Sequence, residues 1–344
     1  MMRPLLLFFG LALLAACSDV KTNTGQRLDF VGSSRLTSSN RTTSVPGDTL
    51  ASRIYAEANP DDPSQLLTRL RITVTYLPRR APFLYPTPVS SLNRDSINNN
   101  PDAGVIYLDT LLSSSALTSK SLLFTSVFGV RTTTGAERWQ YELLDPDTTV
   151  RASRAFRVSM RRPDSLNTYH DYTLRLVAPA NGVGARRFLQ LNAGLALPAY
   201  SVLGTTTSRP KSRAALQKLT DLILQPDGLT LVTPDSPNSG TFRLDDQRWP
   251  VANRRLTRIY PTAETATTFV GLLTNSAITN AYNTAQTVGA TGQRIGPVQA
   301  GQVYAFRTGG TTPRYGVLLV VSVPVSTATT TTRGLQLQVR MAKQ

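Results

Sequence analysis

The side chains that most often carry out acid–base chemistry are scarce in this sequence. His170 is the only histidine among 344 residues. A neutral imidazole is the usual general base near pH 7, so a histidine-dependent enzyme would have to be built around His170. No Gly-x-Ser-x-Gly turn identifies a nucleophilic serine, although a Ser-His-Asp triad can be assembled from distant residues and stays open. We therefore predict no catalytic residues and no enzyme activity.

Paired carboxylates are equally rare. A glycosidase needs two facing carboxyl groups, one acting as acid and the other as base or nucleophile. The chain has four glutamates, Glu57, Glu137, Glu142 and Glu264. Glu137 with Asp171 is the pair that could take these roles, but the surrounding residues do not require it.

Two short aspartate pairs could offer oxygen ligands to a cation. They are Asp145-x-Asp147 and Asp61-Asp62, each next to a proline. Calcium takes six to eight oxygen ligands, and the full pattern of a calcium-binding loop is missing. Aspartate beside proline is typical of turns, where its carboxylate accepts hydrogen bonds from the nearby backbone. We predict turns, with no metal and no cofactor.

Two tryptophans are candidates for stacking on a sugar ring. Trp139 alternates with polar neighbours, which favours a place in the core of a sheet. Trp249 stands beside Pro250 in a polar stretch. Trp249 is therefore retained as a candidate ligand contact.

The N-terminus carries the most specific motif. Arg3 precedes the apolar run Leu5–Ala16, which is shorter than the about 20 residues that a membrane-spanning helix needs and is typical of a secretory signal. The run ends Leu14-Ala15-Ala16-Cys17, and Cys17 is the only cysteine. This ending resembles the lipobox of bacterial lipoproteins. The resemblance implies a signal peptide over residues 1–16, lipidation of Cys17 and attachment to the membrane through that lipid. The alternative is an ordinary signal peptide with an incidental cysteine.

The residue after the cysteine bears on the location of the protein. Ser18 stands there instead of aspartate. By analogy with lipoprotein sorting rules, this favours a lipid anchor in the outer membrane, with exposure at the cell surface as one arrangement. Residues 17–45 are rich in Ser, Thr, Asn and Arg, and we predict that they form a flexible tether.

The charge is strongly positive but dispersed. Lys and Arg number 37 against 21 Asp and Glu, a formal net charge of +16. No basic run or nucleic-acid-binding motif accompanies this charge, so we predict no nucleic-acid partner. Glycans, other envelope proteins or the polar membrane surface are the expected partners. We expect the arginines to lie on solvated faces, including the pairs Arg79-Arg80, Arg161-Arg162, Arg186-Arg187 and Arg254-Arg255.

Most of the remaining chain alternates apolar and polar residues with a period of two, which indicates strands with one buried face. Clear examples are Leu70/Ile72/Val74/Tyr76, Trp139/Tyr141/Leu143, Phe156/Val158/Met160 and Leu335/Leu337/Val339/Met341. Helical character is confined to Arg213–Lys218 and Ala263–Ala281, and Leu219–Leu224 is predicted to be a strand. The prediction is an all-β chain with a β-sandwich at residues 46–163 and a β-rich domain at residues 164–344 that includes one or two short helices.

The segments Gly135–Tyr141, Asp145–Thr149 and Ala152–Val158 resemble the closing strands of Ig-like domains in surface lipoproteins of Bacteroidota. Lys218–Leu224, Gly301–Thr308 and Tyr315–Val320 resemble a poorly characterised β-rich domain that often follows them. The resemblance implies a fold and a location at the cell surface. It brings no catalytic residues.

Five Asp-Ser/Thr-apolar or Asp-Thr-Thr triplets resemble the O-glycosylation motif of exported Bacteroidota proteins. They make Thr49, Ser96, Thr110, Thr148 and Ser165 candidate glycosylation sites. Taken together, the sequence predicts a lipid-anchored envelope protein that serves in binding, adhesion or assembly. The alternative is a glycan-capturing or glycan-processing component of an outer-membrane uptake system.

Overall fold

Strands account for most of the regular structure in the computed structural model of the chain. They make up 51% of the described residues against 14% for helices, which confirms the all-β prediction. The structure describes residues 25–45, 47–59, 62, 66–77, 104–112, 120–132, 135–160, 168–178, 185–192, 194–203, 210–236, 248–286, 291–326, 331–332 and 334–342.

The part of the first half that the structure describes contains eight strands. They are β1 (Arg27–Phe30), β2 (Arg41–Thr43), β3 (Thr49–Glu57), β4 (Arg69–Leu77), β5 (Gly104–Leu111), β6 (Ser121–Gly129), β7 (Gly135–Leu144) and β8 (Val150–Met160). One sheet has the order β1-β3-β6, and the other has the order β2-β8-β7-β4-β5. All pairs are antiparallel except β2 with β8, which run parallel.

The inward faces of these two sheets form one apolar core, as the period-two pattern predicts. Aromatic rings join the sheets: the ring centroids of Phe128 on β6 and Trp139 on β7 lie 4.2 Å apart. The rings of Phe30 and Tyr141 meet edge to face at 5.2 Å. This arrangement is a β-sandwich in which aromatic residues supply much of the buried apolar area.

The described residues of the second half contain twelve strands and four α-helices. Its strands are β9 (Tyr169–Leu176), β10 (Arg186–Gln190), β11 (Leu195–Pro198), β12 (Leu222–Leu224), β13 (Leu231–Val232), β14 (Arg258–Thr265), β15 (Arg294–Ile295), β16 (Gln302–Arg307), β17 (Tyr315–Ser322), β18 (Val325–Ser326), β19 (Thr331–Thr332) and β20 (Leu335–Ala342). Its helices are α1 (Ala199–Leu203), α2 (Pro210–Leu219), α3 (Ala266–Phe269) and α4 (Asn275–Gln286), with a 3-10 turn at Val251–Asn253.

Four layers result from this set of elements. The sheets β11-β10-β12-β13-β15 and β14-β16-β17-β20-β9 pack face to face around a shared core. Helix α4 covers the outer face of the second sheet through Ile278 and Tyr282. Val202 of α1, Leu216 of α2 and Trp249 cover the outer face of the first. Strand β12 is therefore buried on both faces, which explains why Leu222–Leu224 shows no alternation.

The helix predictions need correction. Residues 219–224 are not one strand, because α2 ends at Leu219 and β12 begins at Leu222. Within the range Ala263–Ala281, the chain continues β14 to Thr265. The Thr265 hydroxyl accepts a hydrogen bond from the backbone N–H of Thr268 and so caps α3. Thr265 is both the last residue of the strand and the cap of the helix. The threonines that disfavour one long helix therefore mark the boundary between these two elements.

The flexible-tether prediction for residues 17–45 is wrong from Arg27 onward. Strand β1 pairs with β3, and β2 pairs with β8. The side chain of Leu28 is buried in the sandwich core, and Phe30 packs against that core. These few apolar residues suffice because neighbouring strands supply the hydrogen-bond partners of the polar backbone around them.

The two halves contact each other along β5. Leu195 of β11 belongs to the apolar core of the sandwich. The Ser201 hydroxyl on α1 donates a hydrogen bond of 2.8 Å to the carbonyl oxygen of Ile106. The Thr132 hydroxyl, just after β6, lies 3.1 Å from Nε2 of His170 on β9. Residues of both halves therefore meet around the β5–β6 side of the sandwich.

Candidate functional site

A cleft of about 490 Å³ lies on the side of the sandwich where β5 and β6 are the outermost strands of their sheets. Ile72, Leu108 and Phe124 supply apolar wall from β4, β5 and β6. The end of β9 and the start of β10 complete the wall with Val177 and Arg186. The volume is in the range of small-molecule sites, and the lining is mostly apolar with a few polar groups.

Arg186 is the most unusual residue of this wall. It is only 2% exposed, although a charged side chain is seldom buried without a partner. Its guanidinium lies close to the hydroxyl of Tyr107 on β5, and that hydroxyl donates a long hydrogen bond of 3.5 Å to the carbonyl oxygen of Val127. Burial raises the pKa of that phenol, and the charge of Arg186 opposes the increase. The side chain thus runs from the second half into the sandwich.

Gly129, the last residue of β6, makes room for this guanidinium. A Cβ atom at Gly129 would lie 2.9 Å from Nη1 of Arg186, so the end of the arginine side chain would have to shift. The absence of a side chain at this position lets the guanidinium lie against the β6 backbone.

Arg175 stands at the rim of the same cleft and is exposed. On β9, Tyr172, Leu174 and Leu176 point to the core of the second half. Since side chains alternate along a strand, Arg175 lies on the other face. The hydroxyls of Thr49, Thr125 and Ser126 add polar atoms to the wall.

The prediction that paired arginines are solvated is wrong at this point. Arg186 and Arg187 are both buried, and so is Arg255. The Nε–H of Arg187 donates to the carbonyl oxygen of Leu224 at 2.8 Å, and that of Arg255 to Gly309 at 2.8 Å. The apolar residues Phe188 and Leu189 directly after the pair were the available signal. A charge at the start of a strand that is buried on both faces cannot reach solvent easily.

Glu137 is fully buried near the cleft, but its two carboxylate oxygens already have donors. The backbone N–H of Arg131 donates to Oε1 at 2.6 Å, and Nε1–H of Trp139 donates to Oε2 at 3.0 Å. Burial raises the pKa of Glu137 to about 7, while these hydrogen bonds act against the increase. Burial also lowers the pKa of Arg131.

The structure gives His170 and Asp171 separate structural contacts. His170 is 5% exposed and faces Thr132, whereas the Asp171 carboxylate accepts from Nε of Arg340 at 3.0 Å and from Gln338 at 3.1 Å. Glu137 and Asp171, the imagined glycosidase pair, thus have different partners in different halves.

Trp249 is not placed to stack on a ligand. Its exposure is 0%, and its ring packs in the core between the sheet and α1 and α2, 5.9 Å from the ring of Phe188. Its Nε1–H donates to the carbonyl oxygen of Asn253 at 3.1 Å. Trp139 is likewise buried, in the core of the sandwich.

The Asp145–Thr149 segment forms the predicted turn. The backbone N–H of Thr148 donates to the carbonyl oxygen of Asp145 at 2.9 Å. The Asp147 carboxylate accepts from the Thr149 backbone N–H at 3.1 Å, and this hydrogen bond lowers the pKa of Asp147. Asp62 is described by the structure, but its partner Asp61 lies outside the described residues. Among the described residues, no three His, Cys, Asp or Glu side chains gather into a metal-binding group.

The candidate glycosylation sites differ in accessibility. Thr49 is exposed at the start of β3, and Thr148 is exposed in a turn with φ of 71°, which is unusual for a β-branched residue. Thr110 is half-buried on β5, where the neighbouring Asp109 carboxylate pairs with Arg69 at 2.5 Å. Ser96 and Ser165 lie outside the described residues, as does Cys17.

Comparison with known proteins adds no assignment: no protein-family profile matches the chain, and no curated protein is similar to it in sequence. Within the described ranges, no helix has both the length and the apolar character needed to cross a bilayer. The site is therefore interpreted from its own geometry.

Proposed function

We propose that this chain is a lipid-anchored envelope protein whose β5–β6 cleft binds a small ligand without transforming it. The N-terminal motif supports the location: an export signal over residues 1–16, then Cys17 as the lipidated residue of the mature chain in the outer membrane. The Ig-like character of the sandwich and the order of the two domains are part of the same proposal.

The observation that carries the binding role is the composition of the cleft wall. Acid–base catalysis uses groups that exchange protons near neutral pH, usually His, Glu or Asp. The wall offers apolar side chains, four hydroxyls and two arginines, and a guanidinium stays protonated at any physiological pH. Such a wall suits desolvation and charge pairing of a ligand, which are the requirements of a binding site.

The glycan-uptake alternative receives less support. Sugar recognition commonly uses an exposed aromatic ring, and the candidate ring of Trp249 is buried under helices α1 and α2. The apolar wall of the cleft also fits a hydroxyl-rich ligand poorly, because each sugar hydroxyl would need a hydrogen-bond partner.

Metabolic labelling with a fatty-acid probe tests the anchor. We expect the wild-type protein to carry the label in the outer-membrane fraction and Cys17→Ser to lack it. Ser18→Ala, a matched change at the adjacent residue, should keep the label. Equal labelling of Cys17→Ser and wild type would refute the anchor and with it the proposed location.

A turnover screen tests the binding role. Purified protein is incubated with glycosidic, ester and peptide substrates, and we expect no product above the background. Reproducible turnover in the wild type that disappears in His170→Gln would replace the binding role with an enzyme centred on His170.

A further inference from the structure

We propose that the β5–β6 cleft binds an amphipathic carboxylate, with Arg186 pairing with the carboxylate and the apolar wall enclosing the hydrocarbon chain. This inference rests on the proposed binding function and adds the chemical class of the ligand. It depends on three features of the cleft: a buried cation, a second cation at the rim, and a largely apolar wall.

The first feature is the charge balance at Arg186. Among the described residues, no carboxylate lies within ion-pair distance of its guanidinium, and the group beside it is the neutral phenol of Tyr107. Arg255 and Arg340, which are also buried, do have acidic partners. Nε of Arg255 lies 3.2 Å from Asp221, and Nε of Arg340 lies 3.0 Å from Asp171. A guanidinium that is 2% exposed and faces a cleft without such a partner is a site for an anion.

The geometry of the group favours a carboxylate. A guanidinium presents its N–H donors in a planar fork that matches the two oxygens of a carboxylate. The phenol of Tyr107 and the backbone of Gly129 lie beside the guanidinium and restrict its movement. A fixed donor fork loses little conformational entropy when the anion arrives.

The second feature is the charge at the entrance. Arg175 is exposed at the rim, and the whole chain has a net charge of +16. Positive potential at the mouth of a low-dielectric cleft concentrates anions and speeds their association. Arg175 is therefore expected to affect the association rate of the ligand and the salt dependence of that rate. Arg186 makes the contact with the carboxylate in the bound complex.

The third feature is the apolar wall, which an inorganic anion would leave unfilled. Ile72, Leu108, Phe124 and Val177 form most of it, and the cleft encloses about 490 Å³. Each methylene group that moves from water onto such a wall contributes roughly 0.8 kcal/mol. A medium-length fatty acid would place its carboxylate against Arg186 and its hydrocarbon chain against the apolar wall.

Isothermal titration calorimetry on the mature chain carrying Cys17→Ser, without detergent, tests the inference. The probes are decanoate, decanol as its neutral counterpart, decyl glucoside for the sugar alternative, and acetate for the head group alone. We expect decanoate to bind with a stoichiometry of one and at least about tenfold more tightly than decanol, because the difference is one charge-assisted hydrogen-bonded pair. Acetate and decyl glucoside should bind more weakly still.

Arginine variants locate the contact. Arg186→Gln should weaken decanoate binding at least about tenfold and leave decanol binding unchanged, which also shows that the cleft is intact. Arg186→Lys should recover part of the affinity. Val177→Trp, which fills the cleft, should abolish binding of both compounds. Arg157→Gln is the matched control, since Arg157 is an exposed arginine on β8, far across the sheet order from β5.

The outcomes separate the two proposals. If decanoate and decanol bind equally well and Arg186→Gln has no effect, the cleft binds ligands but the anion inference is wrong. If decyl glucoside binds most tightly, the ligand class is a glycoside instead. If none of the probes binds, the inference is wrong, while the anchor stands or falls on the labelling of Cys17. Should Arg186→Gln fail to fold, rapid mixing of decanoate with Arg175→Gln must show slower, salt-dependent association than with wild type, and an unchanged rate would overturn the inference.

Discussion

The two halves of the chain are both built from paired sheets, but the outer faces of these sheets are covered to different extents. In the second half, helices cover the outer faces of both sheets, α4 on one side and α1 with α2 on the other. In the first half, the sandwich keeps a cleft on its β5–β6 side, and the outer face of β6 exposes Leu123 by 62%. In the part of the chain that the structure describes, the second half is therefore sealed by helices over its sheet faces, whereas the first half has a cleft that is open to solvent.

This difference indicates which half is available for binding. A sheet that is covered on both faces can be stabilised by apolar packing alone, and its polar groups are used up in internal contacts. An uncovered apolar surface lowers solubility and stability, so its retention points to a ligand or partner. The second half contributes Arg175, Val177 and Arg186 to the wall of the cleft.

The largest expected effect lies in the sealed half. Trp249→Ala should reduce the free energy of unfolding by about 3 to 5 kcal/mol, because a fully buried indole leaves a large cavity that the helices and sheet cannot fill. Urea unfolding followed by circular dichroism measures it. Trp249→Phe keeps an aromatic ring and should cost less.

A loss below about 1 kcal/mol for Trp249→Ala would contradict the sealed arrangement. It would mean that the indole is accessible in solution and would restore Trp249 as a candidate ligand contact. Decanoate binding, measured in parallel, should be the same in Trp249→Phe and wild type.

Strand content and the sandwich core were predictable because alternation with a period of two is a local signal. Trp139, Tyr141 and Leu143 face inward as their spacing requires, with exposures of 1% or less. The second half was harder to predict, because a strand that is buried on both faces has no alternation. For the same reason Leu219–Leu224 gave no sign that a helix ends and a strand begins within it.

The cleft was not predictable from the sequence. It depends on which strands end each sheet, and the order β2-β8-β7-β4-β5 brings together residues that are far apart in the chain. Arg186 belonged to one of several arginine pairs. Phe188 and Leu189 indicated a buried strand after it, but only the tertiary contacts with Tyr107 and Gly129 place its guanidinium at the cleft. Burial of a charge is a property of the assembled fold and not of local sequence.

The second prediction concerns the buried carboxylate of the open half. The folded pKa of Glu137 is about 7 against an ordinary value of 4.5, because burial disfavours the charged form. Between these pH values the folded state retains a proton that the unfolded state has lost. The contribution of Glu137 is therefore fully present below about pH 4.5 and is lost as the pH rises through 7, a change of about 3 kcal/mol.

Urea titrations between pH 4.5 and pH 8 measure this change. We expect the free energy of unfolding of the wild type to decrease across this range and the decrease to be smaller by about 3 kcal/mol in Glu137→Gln. Comparison with wild type cancels the contribution of Asp221, whose pKa burial also raises while Arg255 opposes the increase. Parallel pH profiles for the two proteins would show that Glu137 is better solvated than its position in the sandwich implies.

The third prediction concerns the contact between the halves at His170. His170→Gln should lower the free energy of unfolding by about 1 kcal/mol, the usual value of one buried hydrogen bond, here with the Thr132 hydroxyl at 3.1 Å. Thr132→Val removes the other partner, and a double-mutant cycle gives the coupling energy between them. A coupling energy near zero would mean that this pair does not stabilise the contact between the two halves. Decanoate binding should be unchanged in both variants, since neither residue lines the cleft.

The smallest expected effect tests whether the open half is open in solution. Strand β6 ends its sheet, and its sequence Ser-Leu-Leu-Phe-Thr-Ser-Val-Phe-Gly has neither a charge nor a proline. Such an edge can pair with a strand of another molecule, and charged residues normally prevent this.

If the exposed Leu123 faces water, Leu123→Ser should change the free energy of unfolding by no more than about 0.5 kcal/mol. The thermal midpoint should also be independent of protein concentration, because no subunit contact is lost on unfolding. A larger loss, together with a midpoint that rises with concentration in wild type but not in Leu123→Ser, would mean that a second copy covers β6. The first half would then be as sealed as the second, and the cleft beside β6 would have to be considered as part of an interface.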